Sequence, residues 1–137
     1  MEKFEEFWII HFSGPPLFFY SVDTKFDPNL VAGFFSAIQM FAKNMSVDNG
    51  LNSLTIGQNT FTFLTSEQYK LYFIAKSKKK VKEKRIIKKM EDIRQRFITQ
   101  YKKPLENLEM NYSGFEDFTE TFESVFTDNF EKLDGLW

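Results

Sequence analysis

Cysteine is absent from the 137 residues, which excludes disulfides and thiolate metal sites and fits a cytosolic chain. Histidine occurs once, at His11, so a histidine-based metal centre would need carboxylates or a second chain to complete it. Only 6 glycines and 4 prolines are present, and they are not gathered into a low-complexity linker. No internal repeat divides the chain. The GxxxxGK[ST] phosphate loop is missing, so the chain should not itself hydrolyse a nucleotide. Gly14 and Gly33 do not make a dinucleotide fingerprint. Apolar runs stay well under the roughly 18 residues that mark a membrane span. Glu2, Glu5 and Glu6 stand at the N-terminus, with no apolar signal core before them. The expectation is one cytoplasmic domain over residues 1–137, touching a membrane at most peripherally.

What the chain does have is phenylalanine, 18 of them, spread over most of its length as large core-filling side chains would be. Those that are not core could form a contact surface. The net charge is −1, but the signs are segregated. Residues 76–89 hold nine basic residues against one acid, and the segment from Glu106 to Asp134 is acidic. Such asymmetry steers partners electrostatically.

The order of patterns carries most information. Phe7 to Phe12 is apolar on both alternating faces apart from His11, as in a central strand covered on both sides. Ser13-Gly14-Pro15-Pro16 is a turn, and Leu17 to Val22 is the antiparallel partner. Asp27-Pro28 opens a helix, with aspartate capping free amides and proline at a position that needs no donor. Phe26 and Val31 are placed as a hydrophobic staple. Leu30, Phe34, Ala37, Ile38, Phe41 and Met45 share one helical face. Gly33, Ser36 and Ala37 are small enough to let the helix lie close to a sheet. It should end near 44–46, before the turn Asp48-Asn49-Gly50.

Three strands follow: Leu51 to Ile56, Thr60 to Leu64 after a hairpin-sized connection, and Tyr69 to Ala75, a second central strand. From about Lys80 the period turns helical, with Ile86, Met90, Ile93, Phe97 and Tyr101 in one stripe limited by Pro104. Residues 102–113 read as a polar connector. Phe115, Phe118, Phe122, Val125, Phe126 and Leu133 suggest a last helix over about 115–133. The order is ββαβββαα: an α/β, three-layer domain with a five-stranded, mostly antiparallel sheet, one helix on one face and two on the other.

This order resembles the longin fold. The stretch Trp8-Ile9-Ile10-His11-Phe12-Ser13-Gly14-Pro15-Pro16-Leu17-Phe18, followed by residues 30–38 (LVAGFFSAI), is similar to the strand, glycine turn, strand and small-residue helix that open longin-like domains. Leu54-Thr55-Ile56-Gly57 and Leu71-Tyr72-Phe73-Ile74-Ala75 resemble the family's third and fifth strands. The resemblance covers residues 4–101, and the last helix fits as the family's third. In composition the chain is most similar to archaeal longin-like proteins linked to small GTPases. The related roadblock fold, a GTPase-binding scaffold, usually opens with a helix, whereas this chain opens with a strand. A longin SNARE would continue into a heptad coil, whereas this chain ends at Trp137.

The resemblance implies a non-catalytic protein-binding module in a small-GTPase regulatory or vesicle-trafficking-like assembly. The implied partner is a small GTPase, another longin or roadblock-type domain, or a second copy. In longin dimers the first helix and an edge strand form the pairing surface. The matching residues here are Val31, Phe35, Ile38 and Gln39 on the helix, with Leu54 and Ile56 on the strand.

No catalytic, cofactor or metal constellation competes with that reading. His11, Ser13 and Asp23 are three common residues whose closeness in sequence carries no triad geometry. Glu91 and Asp92 point in different directions on a helix, as solvated or paired residues do. The basic block has three readings. It is a solvated junction paired with the acidic segment, a contact for anionic lipid or an acidic protein through Lys78, Lys79, Lys80 and Lys82, or a nucleic-acid site. Aromatic residues are not interleaved among residues 76–89, and the net charge is near zero, which argues against nucleic acid. The last helix either covers the sheet or detaches as a switch.

Overall fold

A computed structural model describes residues 4–21, 27–45, 52–106, 115 and 117–125. Its elements run β1 (Glu6–His11), β2 (Pro16–Ser21), α1 (Pro28–Met45), β3 (Ser53–Ile56), β4 (Asn59–Ser66), β5 (Leu71–Lys78), α2 (Glu83–Gln100) and α3 (Lys102–Glu106). A further helical stretch, α4, covers residues 118–125. The strands form one sheet in the order β2-β1-β5-β4-β3, and each neighbouring pair is antiparallel. The chain is a mixed α/β fold, as its sequence pattern predicts.

The two strands with apolar residues on both faces, β1 and β5, take the middle of the sheet. Phe7 and Ile9 of β1 and Leu71, Phe73 and Ala75 of β5 point to one side, where they pack with Ile86, Met90, Ile93 and Phe97 of α2. Trp8, Ile10, Tyr72 and Ile74 point to the other, against Ala32 and Phe35 of α1. Alternation thus divides a continuous apolar run between two cores.

Turn chemistry fixes the register. Gly14 adopts φ 118°, and its amide donates to His11 O at 2.9 Å. Ile9 faces Phe18 and Ile10 faces Pro16, so Leu17 is an extra residue in the edge strand. A proline there forfeits no ladder bond that a central strand would need. Gly57 at φ 63° turns β3 into β4. Asp27 caps α1 as expected: its Oδ1 accepts the Asn29 amide at 2.9 Å. Phe26, and with it the expected staple, lies outside the described residues, as do Leu51 and the turn at residues 48–50.

Besides shifts of one or two residues at strand ends, such as β4 running Asn59–Ser66, several features differ from the sequence reading. β5 starts at Leu71 and not Tyr69, because Lys70 takes a left-handed φ of 57° and closes the preceding turn. The polar connector begins with α3, whose Leu105 is buried. Pro104 fits there because it falls in the first turn, where amides lack intrahelical partners. Gly33 and Ala37 do not face the sheet; the small residues that do are Ala32 and Ser36.

α4 is docked. Phe122 packs on Phe7, Phe18 and Tyr20 with ring centroids 5.2, 5.5 and 4.9 Å apart. Phe118 meets Phe97 edge-on at 5.0 Å. Polar contacts tie the same segment to the end of α2: the Tyr101 hydroxyl donates to the Asp117 carboxylate, Thr121 Oγ1 donates to Gln100 Oε1 at 2.7 Å, and Arg96 Nη1 donates to Ser124 Oγ at 3.3 Å.

Candidate protein-contact surface

α1 has no acidic residue, and Lys43 is its only charge. Its inward line is Ala32, Phe35, Ser36 and Gln39, the spacing of one helical face. Ser36 Oγ donates to the carbonyl of Phe12 at 3.0 Å, and Lys43 Nζ sits 4.3 Å from the Phe12 ring centroid. Small and polar side chains therefore seat the helix, with Phe35 as its one large buried anchor against Phe61, Phe63 and Trp8. The opposite line is Leu30, Phe34, Phe41 and Met45, which are 73, 52, 67 and 73% exposed, with Met40 beside them. The shared face read from the sequence exists, and it points to solvent.

That geometry corrects the helix residues proposed for contact. Phe35 (2% exposed) and Gln39 (0%) are turned into the domain. Val31 and Ile38 are half-buried, Val31 against the α1-side core. The side available to a partner is one half-turn away, on Leu30, Phe34 and Phe41. The missed signal was compositional: a helix that is apolar all round is covered on both sides, and periodicity alone could not choose which stripe the sheet takes.

β3 lies at the edge of the sheet and pairs with β4 alone. Leu54 packs into the α1-side core, while Ile56 is 51% exposed. Among the described residues the outer edge of β3 is unpaired, and an unpaired strand edge can accept another strand, although at four residues this one is short.

The basic block is less uniform than its sequence suggests. Lys78 Nζ lies 3.1 Å from Glu5, and Lys76 lies 3.6 Å from Glu6. Lys79, Lys80 and Lys82 are exposed and make no ion pair among the described residues. Of the four lysines proposed for anionic contact, Lys78 is thus exposed but ion-paired, and the other three are exposed with no ion pair among the described residues.

His11 is held locally. Its Nδ1 accepts the Ser13 amide at 3.1 Å and lies 2.7 Å from the Ser13 hydroxyl, which places the ring proton on Nε2. Partial burial, and then the positive charge of Lys70, lower its pKa from 6.5. Asp23 lies outside the described residues, so the imagined triad has no third member to place. Among the described residues no group of three or more His, Asp or Glu side chains converges as a metal site, and no helix is long and apolar enough to cross a membrane.

No protein-family model matches the chain, and no curated protein matches it. Solved structures do. A chain of the mammalian SRP receptor superimposes with a TM-score of 0.64 at 15% identity, over 96% of this chain and 98% of that one. Myxococcus xanthus MglB superimposes with a TM-score of 0.51 at 12% identity, over 65% of this chain and 78% of that one. With the strand order and layering above, these matches identify the chain's architecture as the longin-like fold.

Proposed function

We propose that this chain is a non-catalytic protein-interaction module of longin type, a single domain over residues 1–137 that works with a small GTPase in a cytoplasmic regulatory or trafficking-like assembly. Its contact surface is the outer stripe of α1, continued by the edge of β3 at Ile56. The observation that carries this reading is the stripe itself: four large apolar side chains, each more than half exposed, on a helix whose other side is already seated. Contiguous exposed apolar surface of this kind marks protein contact. The fold adds support, because longin-like domains bind proteins and one structural neighbour is a receptor chain. The partner across β3 is another longin or roadblock-type domain, or a second copy.

The test is affinity capture on the immobilised chain from native lysate, with excess GDP or a non-hydrolysable GTP analogue. A Phe34→Ser/Phe41→Ser variant runs in parallel. The expected result is a small GTPase whose recovery changes with nucleotide and disappears with the variant. A partner indifferent to nucleotide would make the chain a structural adaptor. Equal recovery by the variant would remove α1 as the contact surface.

A further inference from the structure

The start of α2 carries more cations than a helix N-terminus ordinarily does. Lys82 occupies the N-cap position and makes no side-chain capping bond. In the first turn a single acid, Glu83, stands against Lys84 and Arg85, where the positive end of the helix dipole disfavours cations. Just before it, Lys79 and Lys80 project from a turn held by the Lys79 amide donating to Gln58 O at 2.8 Å. Lys79, Lys80, Lys82, Lys84 and Lys88 are all exposed, and none has an ion pair among the described residues. The two lysines nearest the sheet, Lys76 and Lys78, are neutralised by Glu5 and Glu6, so the charge that remains stands outermost. The described hydrogen bond between α4 and α2 nearest the block is at Arg96, and at a rise of 1.5 Å per residue that is roughly 20 Å along the helix from Lys82.

We propose that this cluster docks the protein on an anionic lipid bilayer. Eight of the nine cations between residues 76 and 89 are lysine. Lysine is a flexible point charge suited to a diffuse, fluid anionic surface, whereas fixed carboxylates or phosphates favour the bidentate fork of arginine. No aromatic side chain stands among them to stack a base. α2 and α1 cover opposite faces of the sheet, so a bilayer at the start of α2 leaves the outer stripe of α1 open. This inference stands independently of what α1 binds.

The experiment is co-sedimentation of the full chain with vesicles of phosphatidylcholine alone and of phosphatidylcholine with phosphatidylserine, at about 0.1 M and about 0.5 M salt. Binding should require phosphatidylserine and collapse at the higher salt. Replacing the five lysines by glutamine should weaken it by at least about 100-fold, since each lysine near such a surface contributes about five-fold. Replacing the same five by arginine should preserve it, which separates charge from folding damage. Leu30→Ser/Phe41→Ser should bind vesicles as the natural chain does. Equal sedimentation with neutral vesicles, unchanged binding by the glutamine variant, or binding to polyglutamate with none to anionic vesicles would each overturn the proposal.

Discussion

α1 and α2 are each 18 residues long and cover opposite faces of one sheet, yet they spend their apolar residues in opposite directions. α2 buries Ile86, Met90, Ile93 and Phe97 and turns its charges outward. α1 buries two small side chains and a glutamine beside Phe35, and turns Leu30, Phe34, Phe41 and Met45 to solvent. The α2 face is sealed further by Phe115, Phe118, Phe122 and Val125, whereas the α1 face has no second layer among the described residues. Among the described residues α2 is therefore covered on its inner side and polar outside, whereas the outer stripe of α1 stands open.

The strongest way to break this contrast is a pair of truncations. Phe97 is fully buried and touches the rings of Phe73, Tyr101, Phe115 and Phe118. Phe97→Ala should cost about 3–5 kcal/mol in urea unfolding. Phe41→Ala, on the exposed stripe, should change stability by no more than about 0.5 kcal/mol. A large loss at Phe41 would mean that the α1 stripe is already covered within the domain, and the contact surface would have to be sought elsewhere.

A smaller effect tests how the α2 face is sealed. Tyr101→Phe removes the hydroxyl that donates to Asp117 and should cost about 1 kcal/mol at neutral pH. The loss should come with earlier proteolysis within residues 117–125, as α4 loosens. The same bond sets a pH dependence. Burial first, and then Asp117, raise the Tyr101 pKa above its ordinary 10.0. Above pH 10.0 the unfolded chain has released a proton that the folded chain retains, so the unfolded state binds fewer protons and stability falls as pH rises. The natural chain should lose stability above pH 10.0 faster than Tyr101→Phe. Parallel losses would mean that the hydroxyl does not hold α4.

Much of this was legible in the sequence, and the failures have physical reasons. β1 and β5 announced themselves as central because apolar residues fall on both alternating faces. α2 was legible because its single apolar stripe leaves no choice of buried side. α1 was legible in existence and start, through Asp27 and Pro28, but not in rotation, since a helix with one charge gives periodicity nothing to contrast. For that reason Phe35 and Gln39 were placed on the contact surface although they are buried. The pairing of Lys78 with Glu5 was equally invisible. Glu5 reaches it only because β5 and β1 pair in the register that sets Glu6 opposite Lys76, and register is a tertiary outcome.

The smallest perturbation separates the two helices most finely. Gly33 lies on the outer side of α1, a Cβ there would meet nothing within 4 Å, and its φ is not in the left-handed region. As an isolated stability change, Gly33→Ala should stabilise the domain by about 0.5–1 kcal/mol, through helix propensity and a less flexible unfolded chain. But Gly33 and the exposed Ala37 sit one turn apart beside Leu30, Phe34 and Phe41, where a partner's backbone could approach closely only if both residues stay small. The variant should therefore be more stable to heat and weaker in capture of the nucleotide-sensitive partner. α2, with no glycine and a finished inner face, offers no position where stability and binding would part in this way. If Gly33→Ala raised stability and left capture unchanged, the contact would centre on the large side chains at the ends of the stripe and not on its small middle.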